Sequence, residues 1–170
     1  MSEFWDWAVA AYGADGVATQ CLTLQDDHDQ CVPLLLWAIW LGTKGAPLTP
    51  DMVEEGADVA RSWSDSVVEP MRTLRKRLKK PLSDMDDAAR ERIRAQVKAL
   101  ELNSERELMA ALESLSIVDF SETKQNLTAL CTDNAARVSK AWGPKVPRPQ
   151  LISLMGTLSD GGFLEYTHAS

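Results

Sequence analysis

Apolar residues along this chain recur at helical spacing, and no segment alternates apolar with polar over a strand's length. Ser2 is placed to cap a first short helix, which Gly13 stops after Tyr12. Asp15 offers a cap for a second helix, Gly16 to about Gln25, with Val17, Cys21 and Leu24 along one side. Pro33 suits the first turn of a third, and Leu34 to Leu41 continue it with no polar face. A helix apolar all round is a buried one. Gly42 and Gly45 are expected to end it. Thr49 and Pro50 pair a cap with a first-turn proline, and Asp51, Glu54 and Glu55 favour the positive end of a fourth helix. That helix is predicted to run to about Ser66, with a break or kink at Pro70. A basic segment, MRTLRKRLKK, leads to Pro81. Ser83 or Asp84 is then expected to open a long helix reaching Leu115, and Ser121 to cap another running to about Trp142. GPKVPRP reads as a linker, and Gln150 to Ser159 as a last short helix closed by Gly161 and Gly162.

These elements predict an all-α fold, a compact multi-helix bundle around a buried central helix. Residues 1–115 read as its helical core and 116–170 as a C-terminal helical extension packed on the same domain, with a loose tail after about residue 162. Five of the six tryptophans fall in the first 63 residues, so the densest packing is expected there. Phe4, Trp5, Trp7 and the 32–41 helix hold more aromatic surface than a short helix normally buries. Part of that surface is therefore expected to form a homodimer contact.

A net charge of −7 disfavours non-specific nucleic-acid binding by the whole surface, and no specific nucleic-acid partner is expected. The longest apolar run, Val32 to Leu41, is about half of what a membrane-spanning helix needs, so no transmembrane segment is expected. MSEFWDW lacks the basic and apolar regions of a secretory leader. Cys21, Cys31 and Cys131 therefore read as reduced thiols in a cytoplasmic protein.

The acidic stretch Asp26, Asp27, His28, Asp29 invites a metal reading. An aspartate-rich magnesium motif needs two carboxylates a full helical turn apart, and Gln30 stands where the second would be. Zinc on Cys21, His28 and Cys31 lacks the short paired spacing and a fourth ligand. The expectation is a solvated turn that caps the Pro33 helix, with no metal and no cofactor.

Six of the nine residues from Arg72 to Lys80 are Lys or Arg. On a helical wheel Arg72, Arg75 and Lys79 share a face with Val68, beside an apolar face of Val67, Met71, Leu74 and Leu78. In the long helix, Ile93, Val97, Leu100, Leu108, Leu112 and Leu115 form one stripe. Glu101 falls inside that stripe and Glu105 at its margin. A carboxylate on a core-facing stripe must be paired, protonated or at a cavity. Arg72 or Arg75 is the natural partner, as a structural tie or as the wall of a pocket.

Three segments in order, FWDWAVAAYGADGVATQCLTLQDDHDQCVPLLLWAIW, WSDSVVEPMRTLRKRLK and VKALELNSERELMAAL, resemble a small proteobacterial family described as a domain of unknown function. The resemblance covers roughly the first 115 residues. Its pattern has Leu-Gln-Asp at the end of the second helix, Pro-Leu-Arg-x-x-Arg in the basic helix and Glu-x-x-x-Glu in the long one. Carried over, these are Gln25, Asp26, Pro70, Arg72, Arg75, Glu101 and Glu105. The chain departs from it near Asp29 and Pro33, where the pattern carries Gly and Asn, and at Met71, which replaces Leu. The resemblance implies that Asp26, the arginines and the glutamates belong to one constellation; it implies no activity.

No nucleophile–base pair, phosphate loop or metal spacing stands out. The functional expectation is a non-enzymatic cytoplasmic module with an interaction or regulatory role and a protein partner. The alternative is a helical small-molecule-binding protein or enzyme that uses Gln25, Asp26, Arg72, Arg75, Lys79, Glu101 and Glu105 on an anionic ligand.

Overall fold

The computed structural model describes residues 2–116 and 126–165. It is all-α, with helices packed side by side around one hydrophobic core. Helix α1 spans Glu3–Tyr12; the Ser2 hydroxyl accepts from the Trp5 N–H at 3.0 Å, and Gly13 follows the last turn. Helix α2 spans Val17–Asp26 and buries Val17, Cys21 and Leu24. Its cap is Gly16 at φ 84°, not Asp15: the chain enters through a left-handed residue, which a glycine adopts without a Cβ clash.

Helix α3, Val32–Thr43, is buried along its whole length apart from half-buried Pro33. Each fully buried Leu or Ile, such as Leu34, Ile39 and Leu41, contributes about 1.5–3 kcal/mol of apolar transfer. The helix does not stop at Gly42. It passes through, and the glycine serves packing instead: a Cβ there would lie 2.6 Å from the Cys131 Sγ. The turn comes at Gly45, φ 78°.

Helix α4, Pro50–Trp63, carries the expected Thr49 cap and lays a face of Val53, Gly56, Ala57 and Ala60 on the core. The small residue at Gly56 admits the Trp37 ring, whose Nε1 donates to the Ser116 hydroxyl at 2.8 Å. A π-helical segment, Ser64–Val68, comes next, and α5, Glu69–Arg77, continues from it. Helix α6 runs over Asp87–Ser114. It opens at Asp86 rather than Ser83 or Asp84, since Asp84 is left-handed (φ 63°) and no helix continues through it, while the Asp86 carboxylate accepts from the Ala89 N–H.

Helix α7, Leu127–Trp142, is capped by Asn126; the expected cap, Ser121, lies outside the described residues. Helix α8, Arg148–Asp160, takes its first turn from the stretch that reads as a linker, with Pro147 before it and Pro149 within. Leu164 is buried and Phe163 packs on the core, so the chain is docked at these two residues, while the expected loose tail from residue 166 on lies outside the described residues. Helix α3 is the centre and α7 its most extensive neighbour, with Cys131, Ala135 and Val138 facing it. Among the described residues, no helix is long and apolar enough to cross a membrane.

Candidate functional site

The site begins with a proline. Pro70 has no N–H, and its ring crowds the carbonyl of Ser66 four residues back. The helix answers by widening: the Glu69 N–H reaches the Ser64 carbonyl, five residues back, before α5 resumes α-helical spacing. With Val68 and Leu78 buried, α5 turns the face bearing Arg72 and Arg75 toward α6 and leaves Leu74 39% exposed. The apolar face on the wheel is thus partly outward and part of the cationic face inward, because α6 presents carboxylates there.

Arg72, 8% exposed, spends its whole guanidinium on three of them. Its Nε donates to Glu101 Oε1 at 3.2 Å, its Nη2 to Glu105 Oε1 at 3.0 Å, and its Nη1 to Glu69 Oε1. Arg75 meets Glu101 in a fork, Nε to Oε2 and Nη2 to Oε1. Glu101, 7% exposed, is thereby held by two arginines. Hydrogen bonding to Glu101 raises the Arg75 pKa above its ordinary value. Burial lifts the Glu105 carboxyl, with the Glu101 charge adding and Arg72 opposing. The long helix's stripe is buried only in part: Val97, Leu108 and Leu112 are inside, whereas Ile93 and Leu100 are about half exposed.

The remaining sequence candidates lie apart from this network. Gln25 donates to Asp26 at 3.3 Å, and Asp26 meets Lys76, not an arginine, at 3.8 Å, in a half-exposed pair of small energetic weight. Lys79 is exposed and makes no ion pair among the described residues. Phe4 is fully buried against Trp40, ring centroids 5.3 Å apart. Trp5 is half-buried under Arg106, and Trp7 donates to the Phe163 carbonyl at 3.4 Å. The aromatic surface that suggested a homodimer contact is largely consumed inside the chain.

The acidic turn does not cap α3, which has no side-chain cap. It ends α2 instead: Asp29 is left-handed (φ 52°) and the Gln30 N–H returns to the Leu24 carbonyl at 3.0 Å. Gln30 itself is buried, accepting from the Ser139 hydroxyl at 2.6 Å. Among the described residues, no group of three or more His, Cys, Asp or Glu is arranged to hold a metal ion. The three thiols are buried, and burial pushes each up to about 12.

Sequence reasoning missed three contributors. Arg90 is buried and donates to the Leu78 carbonyl; it lies seven residues before Val97, on the stripe that already held Glu101. Arg61 closes the end of α7, Nη2 donating to the carbonyls of Ala141 (2.6 Å) and Trp142 (3.1 Å) with its guanidinium 5.5 Å from the Trp142 ring centre. Ser64 is buried in the π-helical segment. Arg61 and Ser64 line a cleft of about 250 Å³ between the α2–α3 turn, the π-helical segment and α6, with Arg72 and Glu105 in its wall. No periodicity marks such a cleft, since it is assembled from residues 25 to 142.

A family model described as "Protein of unknown function (DUF2390)" matches residues 3–112, which take in the whole arginine–glutamate network and every lining residue of the cleft except Trp142. No curated protein and no solved structure matches the chain.

Proposed function

The chain belongs to the DUF2390 family, and on that footing we propose that it is a non-enzymatic interaction or regulatory module working in the bacterial cytoplasm with a protein partner. One observation carries the reading: Arg72 and Arg75 are closed off by direct contacts to Glu69, Glu101 and Glu105. Two cations facing three carboxylates leave nothing to attract an anionic substrate, and the contacts fasten α5 to α6 instead. The α5 side that remains exposed carries Lys76 and Arg77, with Lys79 and Lys80 just beyond. A basic surface on a chain of net charge −7 fits an acidic protein patch better than nucleic acid. Buried, unpaired thiols agree with a reducing compartment.

The test is affinity capture from bacterial lysate with the native chain and with Arg77→Glu/Lys79→Glu/Lys80→Glu, then reconstitution from purified components. A protein retained by the first, lost by the second and rebound when purified supports the module. Capture unaffected by charge reversal, or substrate turnover by the purified chain, overturns it.

A further inference from the structure

We propose that the α5–α6 hairpin carries a docking groove for an amphipathic helix of a partner protein, one whose apolar stripe is flanked by acidic residues. The proposal rests on the reading above of a protein partner and names that partner's class. The two helices run antiparallel, with Arg72 beside Glu105, Arg75 beside Glu101 and the Leu78 carbonyl beside Arg90. At about 100° per residue, Glu101 and Glu105 fall on one side of buried Val97, and Ile93 and Leu100 on the other. On α5, Glu69 and Arg72 lie toward the glutamates, while Met71 and Leu74 lie away from them, beside buried Leu78. Antiparallel packing sets the matching sides together. The hairpin therefore has an ionic face, closed by its own pairs, and an apolar face on the reverse.

That reverse face is open. Ile93 is 50% and Leu100 53% exposed, Leu74 is exposed as well, and buried Leu78 and Val97 form the floor between the two helices. Apolar side chains scattered singly over a surface need no explanation, but a run of them along one groove marks an interface. Ile93 and Leu100 stand two helical turns apart, about 10.5 Å along the axis, which is the repeat of an apolar stripe on a docking helix.

The charges around the groove say what covers it. Residues 72–98 hold ten Lys or Arg against four Asp or Glu, in a chain whose net charge is −7. Past Leu74 the next charge around α5 is Arg77, and past Ile93 and Leu100 the next on α6 is Arg92. Both are exposed, and neither forms an ion pair among the described residues. From Ala89 to Asn103 this side of α6 bears no acid. An apolar floor with a free cation on each rim is complementary to a helix carrying apolar residues at i, i+3, i+4 and i+7 and Asp or Glu beside them. A second copy fits less well, because joining two such faces brings Arg77 and Arg92 against their own kind with no acid between them. An anionic membrane fits less well too, since the chain's net charge of −7 opposes it.

The experiment titrates the full chain, ¹⁵N-labelled and at physiological salt, with a synthetic helical peptide of about 18 residues. The peptide has leucine at the stripe positions and glutamate on both flanks. One control replaces each glutamate with lysine, and another scrambles the order so that the stripe is broken. Saturable shifts of the Leu74, Ile93 and Leu100 amides are expected with the glutamate peptide alone. Ile93→Ser with Leu100→Ser, both at exposed positions, should weaken it about tenfold or more while leaving the urea midpoint nearly in place. Arg77→Glu with Arg92→Glu should switch the preference to the lysine peptide. No saturable shift, shifts confined to other elements, or a preference unmoved by the charge reversal would each overturn the groove. Self-association in sedimentation, or binding to phosphatidylglycerol vesicles, that the double serine variant abolishes would overturn it as well, giving the face to a second copy or to a membrane. A captured protein lost on reversing Arg77, Lys79 and Lys80, yet held by the double serine variant, would remove the groove and leave the interaction module standing.

Discussion

Arg72 and Glu101 face one another across α5 and α6 at 3.2 Å, with about nine-tenths of each side chain out of solvent. Truncating one partner strands the other in low dielectric, at a cost of roughly 3–5 kcal/mol. Removing both strands neither fully, so Arg72→Met with Glu101→Gln should cost much less than the sum of the single changes. Arg75 is 26% exposed and shares Glu101, so Arg75→Met should cost less than Arg72→Met. A double-mutant cycle by urea unfolding decides it; additive effects mean the two charges are independent.

The second prediction concerns pH. Burial raises the Glu105 carboxyl above its ordinary 4.5. A carboxyl raised on folding holds its proton more tightly in the native state. Its stabilising contribution is full below pH 4.5 and is lost as pH climbs through the folded-state value. Glu105→Gln removes that dependence. The stability of the native chain relative to the variant should therefore be greatest near pH 4 and decline toward neutrality, as read from urea midpoints across that range. A difference that grows with pH would mean that the Arg72 contact dominates burial.

A pair of glycines tests the packing around α3. At Gly42 a Cβ would lie 2.6 Å from the Cys131 Sγ and 2.8 Å from its Cα, and backbone does not yield cheaply. Gly42→Ala should destabilise by about 2 kcal/mol or more. Gly156, inside α8, has nothing within 4 Å of a Cβ. Gly156→Ala should stabilise by about 0.5–1 kcal/mol, through helix propensity alone. Thermal melts of the two variants should move in opposite directions.

Local chemistry was legible from the chain and long-range assembly was not. Ser2, the Thr49–Pro50 pair and the unbroken apolar run of α3 each declare themselves through capping geometry or periodicity within a few residues. Glu101 declares itself too, since a carboxylate on an apolar stripe demands a cation. Asp15, Asp84 and Gly42 mislead because a neighbour decides them. Gly16 takes the cap, Asp84 goes left-handed in a turn, and Gly42 is small for Cys131 rather than for a helix end. Ile93 and Leu100 satisfy helical spacing, yet remain about half exposed.

The last prediction asks where the folding unit ends. The family match stops at residue 112, but the core does not. Cys131, Ala135 and Val138 of α7 pack into α3, and Asn134, 1% exposed, ties the chain just beyond α3 in place. Its Oδ1 accepts from the Leu48 N–H at 3.0 Å, and its Nδ2 donates to the carbonyls of Ala46 (2.9 Å) and Ala38 (3.2 Å). Asn134→Leu fills similar space while stranding buried backbone groups, at roughly 2–5 kcal/mol. Ending the chain after Leu115 exposes the α7-facing side of α3, which is apolar all round and has no polar face to turn outward. That fragment should lose its cooperative urea transition, monitored by tryptophan emission and far-ultraviolet circular dichroism together. A cooperative transition in the fragment, with tryptophan emission as blue as in the full chain, would show that the matched region folds alone and that α7 and α8 are accessory to it.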